Sequence, residues 1–306
     1  MWIPHNQLGP LRAESSREVI EASQAATEER MFVVGFILCN TLTKAWETDL
    51  LVVPDEAKRE IEIDGRPATL HASANVAGKL HELIYTIKAT SAADALAPVY
   101  RHVNDELDKL ALQYGRSFEL VGWRLADVEY EARWRFVPFR PSALLPELKT
   151  GPLPEAYVEA LQLYRQARNA VSPAWRLIAA GAIVDAAVSR RAPFDGGNID
   201  YATLPVAVDV LVRSGTLMTH PELKDANMTA VRDVVETARK TLLEQLVTFG
   251  GSPAATERRD FAAATALVAL ANLADLAAHN LLTVSLREKG FFIAPEPAEQ
   301  PEMTDA

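Results

Sequence analysis

The sequence predicts an α+β fold, in which an N-terminal, mainly antiparallel sheet with one packed helix is followed by an all-α helical bundle domain. Strand-like alternation and continuous apolar runs dominate residues 31–139, and helical periodicity replaces them after about residue 154. A proline-rich segment separates the two patterns. We therefore divide the 306 residues into an N-terminal extension 1–30, an α+β domain 31–150, a helical bundle 151–290 and a disordered acidic tail 291–306.

The predicted sheet begins with the run MFVVGFILCN from Met31, whose unbroken apolar character is typical of a central strand, with Gly35 as a candidate bulge. The segment REIEIDGRPATLHASA alternates on both sides of Asp64-Gly65 and predicts a hairpin. ELIYTIKA predicts another strand, and RSFELVGWRLADVEYEARWRFVPF predicts one or two more. These strands form the mainly antiparallel sheet.

One amphipathic helix is expected to cover this sheet. Ser91 and Asp94 form a helix-start signal that resembles a capping box, and apolar residues continue from Leu96 to Tyr114 at helical spacing. The stretch VPFRPSALLPELKTGPLPE then interrupts every period with five prolines and a glycine. We place the domain boundary near Thr150.

The second half predicts five helices joined by short connections, as in a helical bundle. Cap-then-proline pairs and capping-box spacings mark their starts. The predicted helices cover 154–170, a segment opening at Ser172-Pro173, roughly 203–213, a long helix announced by Thr219–Glu222 and running to Leu246, and a last helix from Ser252-Pro253 to near Gly290.

The composition excludes several classes of protein. There are 41 acidic residues against 31 Lys and Arg, which disfavours broad charge-driven binding to nucleic acid or anionic membranes. Cys39 is the one cysteine, so no intramolecular disulfide, Cys-rich zinc site or iron–sulfur cluster is expected. The chain start shows no signal peptide, and Asp275 and His279 would lie deep in hydrocarbon if segment 261–286 spanned a bilayer. We expect a cytoplasmic protein without cofactor or metal.

Three polar residues, Asn272, Asp275 and His279, interrupt the otherwise aliphatic stretch ALVALANLADLAAHNLL, and we call them the polar stripe. They fall in one narrow sector of the last helix. The structural interpretation is one edge of a nearly buried helix that faces solvent or a partner surface. The functional interpretation makes Asp275 and His279 catalytic candidates, with the carboxylate orienting the imidazole as a base. We favour the structural one, because such spacing alone is poor evidence of catalysis.

Arg133 and Arg135 alternate with two aromatic residues in EARWRF, a pattern that could neutralise and stack on a nucleic acid. On a strand the same alternation simply places one set of side chains inward and the other outward. We prefer the strand explanation and keep the two arginines as nucleic-acid candidates.

The segment LPEAYVEALQLYRQARNAVSPAWRLIAAGAIVDAA carries a tyrosine-rich helix with Y-x-x-A-R, a short S-P break and an aliphatic helix. It resembles the methylamine utilization protein MauJ family, which in turn resembles HEPN-like helical proteins. The preceding strand-to-helix segment TIKATSAADAL fits the same arrangement, so the resemblance spans about residues 30–285. HEPN ribonucleases use an R-x(4–6)-H element. In the helical half, only Arg213 and His220 have this spacing, and Gly215 and Pro221 should break a helix between them.

Three functions follow from these observations. The first is a cytoplasmic accessory protein that acts by binding a protein partner or a second copy, with no chemistry of its own. The second is a HEPN-like nucleic-acid-binding protein or weak ribonuclease. The third is a small-molecule enzyme that uses Asp275 and His279 in a bundle cavity. We prefer the first.

Overall fold

The computed structural model describes residues 12–41, 45–137, 154–247 and 260–290, which form two compact units. Within these residues, the sheet unit holds 12–137 together with 245–247 and 260–268, and the helical unit holds 154–244 and 269–290. The predicted boundary near Thr150 and the predicted tail 291–306 lie outside the described residues.

The sheet unit contains one six-stranded sheet in the order β2-β3-β4-β1-β5-β6, and every neighbouring pair is antiparallel. A sheet followed by helices confirms the α+β prediction. The strands are β1 Arg30–Cys39, β2 Lys58–Ile63, β3 Arg66–Ala74, β4 Leu80–Ala89, β5 Glu119–Asp127 and β6 Ala132–Phe136.

The predicted hairpin is confirmed. Asp64 and Gly65 both have positive φ, at 51° and 76°, and Ile63 pairs with Arg66 across the turn. Two left-handed residues give the type of tight turn that matches the twist of the strands, and Asp-Gly is a favoured pair for it.

The prediction of a bulge at Gly35 is wrong. The register of β1 against β5 shifts between Ile37 and Leu38, whereas Gly35 lies in regular pairing. A Cβ atom at Gly35 would stand 2.2 Å from Glu82 Oε1. Arg124 binds the same carboxylate through Nε at 2.6 Å and Nη2 at 2.7 Å. The glycine is needed because this ion pair runs across the strand.

Two helices accompany the sheet. Helix α2 is Ala92–Tyr114; the Ser91 hydroxyl accepts a hydrogen bond from Asp94 N at 3.1 Å, which confirms the predicted start. Its buried face, including Leu96 and Val103, packs into the sheet core. Helix α1, Arg17–Ala25, lies in the segment predicted to be a plain extension.

A buried ion pair fixes α1 beside the sheet. Arg30 Nε lies 2.8 Å from Asp127 Oδ2, and both side chains are fully buried. From α1, the Ser23 hydroxyl donates to the same carboxylate oxygen at 2.5 Å, and the Ser23 carbonyl accepts from Arg30 Nη2 at 2.7 Å. The charges are therefore paired and hydrogen-bonded, as burial requires.

The five predicted helices are all present among the described residues, although one begins later than expected, and the end of the fourth and the start of the fifth belong to the sheet unit. The long helix starts at Met228, because Pro221–Leu223 forms only a 3₁₀ turn, and the Asn227 side chain accepts from Ala230 N at 3.2 Å. The predicted start at Ser252-Pro253 lies outside the described residues. The helices are α3 Val158–Asn169, α4 Pro173–Val188, α5 Val208–Ser214, α6 Met228–Val247 and α7 Phe261–Glu288.

Helix α7 is long and apolar enough to cross a membrane by length and composition, although core helices pass the same test. Of its most apolar 18-residue window, 67% is buried within the protein. Phe261, at its start, packs edge-on against Tyr100 and Trp123 of the sheet unit, with ring centroids 5.2 Å and 5.3 Å apart. These contacts are those of a core helix.

Candidate functional site

The polar stripe is mostly buried. Asn272 is buried, the Asp275 side chain has 0% of its surface exposed, and His279 is half-buried. The solvent-edge interpretation is therefore wrong for Asn272 and Asp275. Periodicity correctly places the three residues in one sector of α7, but that sector faces α3 and α4 of the helical unit.

Asp275 forms a close ion pair with Arg168 of α3, between Oδ2 and Nη1. The arginine side chain keeps 29% of its surface exposed. Arg168 is the arginine of the Y-x-x-A-R pattern. The pair thus joins the pattern that carries the family resemblance to the polar stripe, across 107 positions of sequence.

Arg176 of α4 is fully buried beside the stripe. Its Nη1 donates to Asn272 Oδ1 at 3.3 Å, and its Nη2 donates to the carbonyls of Ala170 and Val171, both at 3.2 Å. These carbonyls follow the end of α3 at Asn169. A cation near a helix C-terminus interacts favourably with the helix dipole, so Arg176 ties α3, α4 and α7 together.

His279 and Tyr164 form the more accessible end of the stripe. Their rings lie 6.0 Å apart with an interplanar angle of 49°. Burial, and next the negative charge of Asp275, raise the pKa of the Tyr164 hydroxyl, and burial lowers the pKa of the His279 imidazole. Both side chains are therefore neutral near pH 7.

The structure does not join Asp275 and His279 as an oriented base. Among the described residues, the Asp275 carboxylate accepts from Arg168, and His279 Nδ1 lies 3.4 Å from the Asn280 amide oxygen. General base catalysis by this imidazole would need the carboxylate to hold the ring in place. The geometry instead uses the carboxylate as an anchor for α3.

Sequence analysis missed the two arginine partners, although a signal for one was present. Arg176 stands in the otherwise aliphatic segment AWRLIAAGAIV, much as Asp275 stands in an aliphatic stretch. Buried charges are almost always paired, so opposite charges in two apolar helices are candidates for the same buried cluster.

The arginine–histidine spacing of a ribonuclease is not assembled in one helix. Helix α5 ends at Ser214, and Gly215 adopts φ of 84°. Arg213 pairs with Asp209 at 3.3 Å, whereas His220 Nδ1 lies 3.0 Å from Glu222 Oε1. The predicted helix break between the two residues is confirmed.

Arg133 and Arg135 lie on β6 and are exposed, whereas Trp134 between them is buried in the sheet core. Arg135 Nε also lies 2.5 Å from Glu14 Oε1. The alternation is therefore that of a strand with one buried face, and Trp134 is not available to stack on a base.

A cleft of about 810 Å³ lies in the sheet unit, and sequence analysis did not predict it. Its walls are the loop 49–57 and the last turns of α2, and none of its lining residues belongs to the polar stripe. The aliphatic run DLLVVP, in a segment without strand alternation, was the available signal. Leu51 in that run is 72% exposed.

Among the described residues, no group of three or more His, Cys, Asp and Glu side chains is placed to hold a metal ion. The Cys39 thiol is buried and donates to the Asn40 carbonyl at 3.3 Å.

Comparison with known proteins gives a consistent result. Residues 5–136 match the family model of the methylamine utilization protein MauJ N-terminal domain. Proteins named methylamine utilization protein MauJ match along nearly the whole chain. The relative from Paracoccus versutus is 36% identical over 97% of this chain and 98% of its own. Those from Methylorubrum extorquens and Paracoccus denitrificans are 36% and 35% identical over 92% and 98% of this chain, and over 95% and 99% of their own. No solved structure gives a significant match.

Proposed function

The chain belongs to the methylamine utilization protein MauJ family, and from that premise we propose that it is a cytoplasmic accessory protein of methylamine utilization. It acts by binding a protein partner or a second copy of itself and carries out no chemistry of its own. The observation that carries the proposal is the match to these relatives over at least 92% of this chain and 95% of theirs. Both units therefore belong to what the relatives share.

The geometry of the helical unit supports a binding role. Two of the three residues of the polar stripe hold helices together, since Arg168 pairs with Asp275 and Arg176 binds Asn272. Buried polar groups that are paired in this way fix one arrangement of helices. A fixed arrangement of helices is what a specific binding surface requires.

The ribonuclease alternative has less support. A helix break separates Arg213 from His220, and each side chain contacts an acidic neighbour, Asp209 and Glu222 respectively. Replacing either residue with alanine should therefore leave any RNA cleavage by the purified protein unchanged.

The proposal is tested in the native host. Deleting the gene should prevent growth on methylamine as sole nitrogen source and leave growth on ammonium unchanged. The complementing chain should co-purify, after cross-linking in methylamine-grown cells, with a protein that is induced by methylamine, or with a second copy of itself. Normal growth of the deletion strain on methylamine, or turnover of methylamine or RNA by the purified chain alone, would overturn the proposal.

A further inference from the structure

We propose that the cleft between loop 49–57 and α2 binds a small organic molecule with an apolar body and an anionic head. The inference concerns the sheet unit alone and holds whichever protein partner the chain binds.

The floor of the cleft is apolar and well ordered by the sheet. Leu70, Leu80 and Leu83 line it and are almost completely buried. Leu110 of α2 and Leu50 of the loop add further apolar surface. The volume of about 810 Å³ falls in the range of roughly 300–1,000 Å³ that small-molecule sites occupy.

Backbone hydrogen bonds hold the loop wall in place. Thr48 N donates to the Leu80 carbonyl at 2.8 Å, Leu80 N donates to the Leu50 carbonyl at 2.7 Å, and Val52 N donates to the Gly78 carbonyl at 2.9 Å. The loop therefore extends the sheet beside the start of β4. Because these bonds fix its backbone, the loop cannot close onto the floor without breaking them.

The exposed apolar side chains of this loop are a further feature that favours binding of an apolar ligand. Leu51 and Val53 line the cleft, and more than half of the surface of each residue is exposed to solvent. An apolar ligand would remove part of this surface from water, which favours binding.

A cationic group stands on the α2 side of the cleft. Glu106 accepts a hydrogen bond from Lys109 Nζ at 2.9 Å and a close one from Arg59, and all three residues line the cleft. Burial alone would raise the pKa of Glu106, but the hydrogen bonds and charges of Lys109 and Arg59 outweigh it, so this pKa is lowered. With two cations and one carboxylate, this group of three side chains carries one net positive charge.

The exposure of these three side chains indicates where a ligand would bind. The Glu106 side chain is 15% exposed, whereas those of Arg59 and Lys109 are 54% and 69% exposed. The carboxylate is thus less exposed than its cations, and the guanidinium and ammonium groups, which line the cleft, have further N–H donors beyond those that bind Glu106. An anionic head placed there would receive charge-assisted hydrogen bonds.

Acidic residues on the loop side of the cleft determine which way round a ligand with one anionic end would bind. Asp49 and Glu56 also line it, and the Asp49 carboxylate accepts from Asn40 Nδ2 at 2.7 Å. These carboxylates would repel an anion, so the head is placed at Arg59 and Lys109 and the apolar body extends over the floor.

The proposal is tested with two fluorescent probes of the same ring system, the anionic 1-anilinonaphthalene-8-sulfonate and the neutral N-phenyl-1-naphthylamine. We expect both to bind the full-length protein, and monomeric dodecanoate to displace them. Lys109→Gln should weaken sulfonate binding by about tenfold and leave binding of the neutral probe nearly unchanged. Lys58→Gln, which changes an exposed lysine outside the lining, is the matched control.

A second variant tests whether the probes bind in this cleft. Ala72 lines the floor, so Ala72→Leu fills part of the cleft and should weaken both probes. Each variant is used only if its thermal melt stays cooperative, because probes of this kind also bind partly unfolded states. Failure of the wild-type protein to bind the sulfonate, or unchanged sulfonate binding by Lys109→Gln, would overturn the proposal. If Lys109→Gln weakened binding of both probes equally, the placement of an anionic head group at Lys109 would be refuted.

Discussion

The two partners of the Arg168–Asp275 ion pair differ in burial, and this difference predicts unequal costs for removing each of them. Asp275 is completely buried, and the Arg168 side chain is 29% exposed. Arg168→Ala leaves a carboxylate in the interior after its paired cation is removed. Asp275→Ala leaves an arginine that can turn its guanidinium toward water.

We therefore expect Arg168→Ala to lower the free energy of unfolding by about 3–5 kcal/mol, the usual cost of breaking a buried pair from one side. Asp275→Ala should cost less, about 1–3 kcal/mol, because the remaining charge can be solvated. The double variant should be more stable than Arg168→Ala alone, since it no longer buries the Asp275 carboxylate without Arg168. Urea denaturation followed by circular dichroism measures all three.

Arg213→Ala is the matched control in the same unit, because Arg213 pairs with Asp209 on the surface of α5 at 3.3 Å. Exposed pairs of this kind contribute about 0.3–0.5 kcal/mol. The reasoning is refuted if Arg168→Ala costs no more than this control, or if the two single changes add fully in the double variant.

Three further changes test other parts of the fold. Gly35→Ala should destabilise the protein by about 1–3 kcal/mol in thermal or urea melts, because its Cβ would stand 2.2 Å from Glu82 Oε1 and displace that carboxylate; a neutral effect would contradict this. Tyr157→Phe should cost about 0.5–1.5 kcal/mol, since it removes the 2.5 Å hydrogen bond to the buried Ser285 hydroxyl, which keeps its hydrogen bond with Tyr201; an unchanged melting midpoint would count against it. Burial lowers the pKa of His279, so folding favours the neutral ring and stability falls as pH drops below the ordinary value of 6.5. His279→Gln should flatten that fall between about pH 7.5 and pH 5.5, and an identical pH dependence in both proteins would exclude His279 as its source.

Local signals explain which parts of the fold the sequence could predict. The Asp64-Gly65 turn and the Ser91 helix start depend on residues within a few positions of each other, and both occur as predicted. The prediction of a bulge at Gly35 was wrong because the glycine makes room for an ion pair between the two strands on either side of it, and no local sequence pattern contains that information. The predicted start of α6 was too early because two segments carry a start signal. The first, Thr219–Glu222, leads only into the 3₁₀ turn Pro221–Leu223, and the helix begins after Asn227, whose side chain caps it.

The polar stripe shows how local periodicity and tertiary pairing differ as sources of information. Periodicity assigns Asn272 and Asp275 to one side of a helix, but it cannot say whether that side meets water or protein. The answer depends on Arg168 and Arg176, which are 107 and 96 positions away from their partners. Once α3 and α4 bring these cations to α7, the carboxylate of Asp275 is paired through Oδ2 and the amide oxygen of Asn272 accepts a hydrogen bond, both inside the protein.

The same pairing limits the chemistry of the site. The Asp275 carboxylate pairs with the Arg168 guanidinium, and among the described residues no hydrogen bond joins it to the imidazole of His279, which is a half-buried, neutral ring beside Tyr164. Breaking the ion pair would remove a contact that joins α3 to α7. The cost of that break is what Arg168→Ala measures. A large loss of stability would therefore support both the buried pairing and an anchoring role for Asp275.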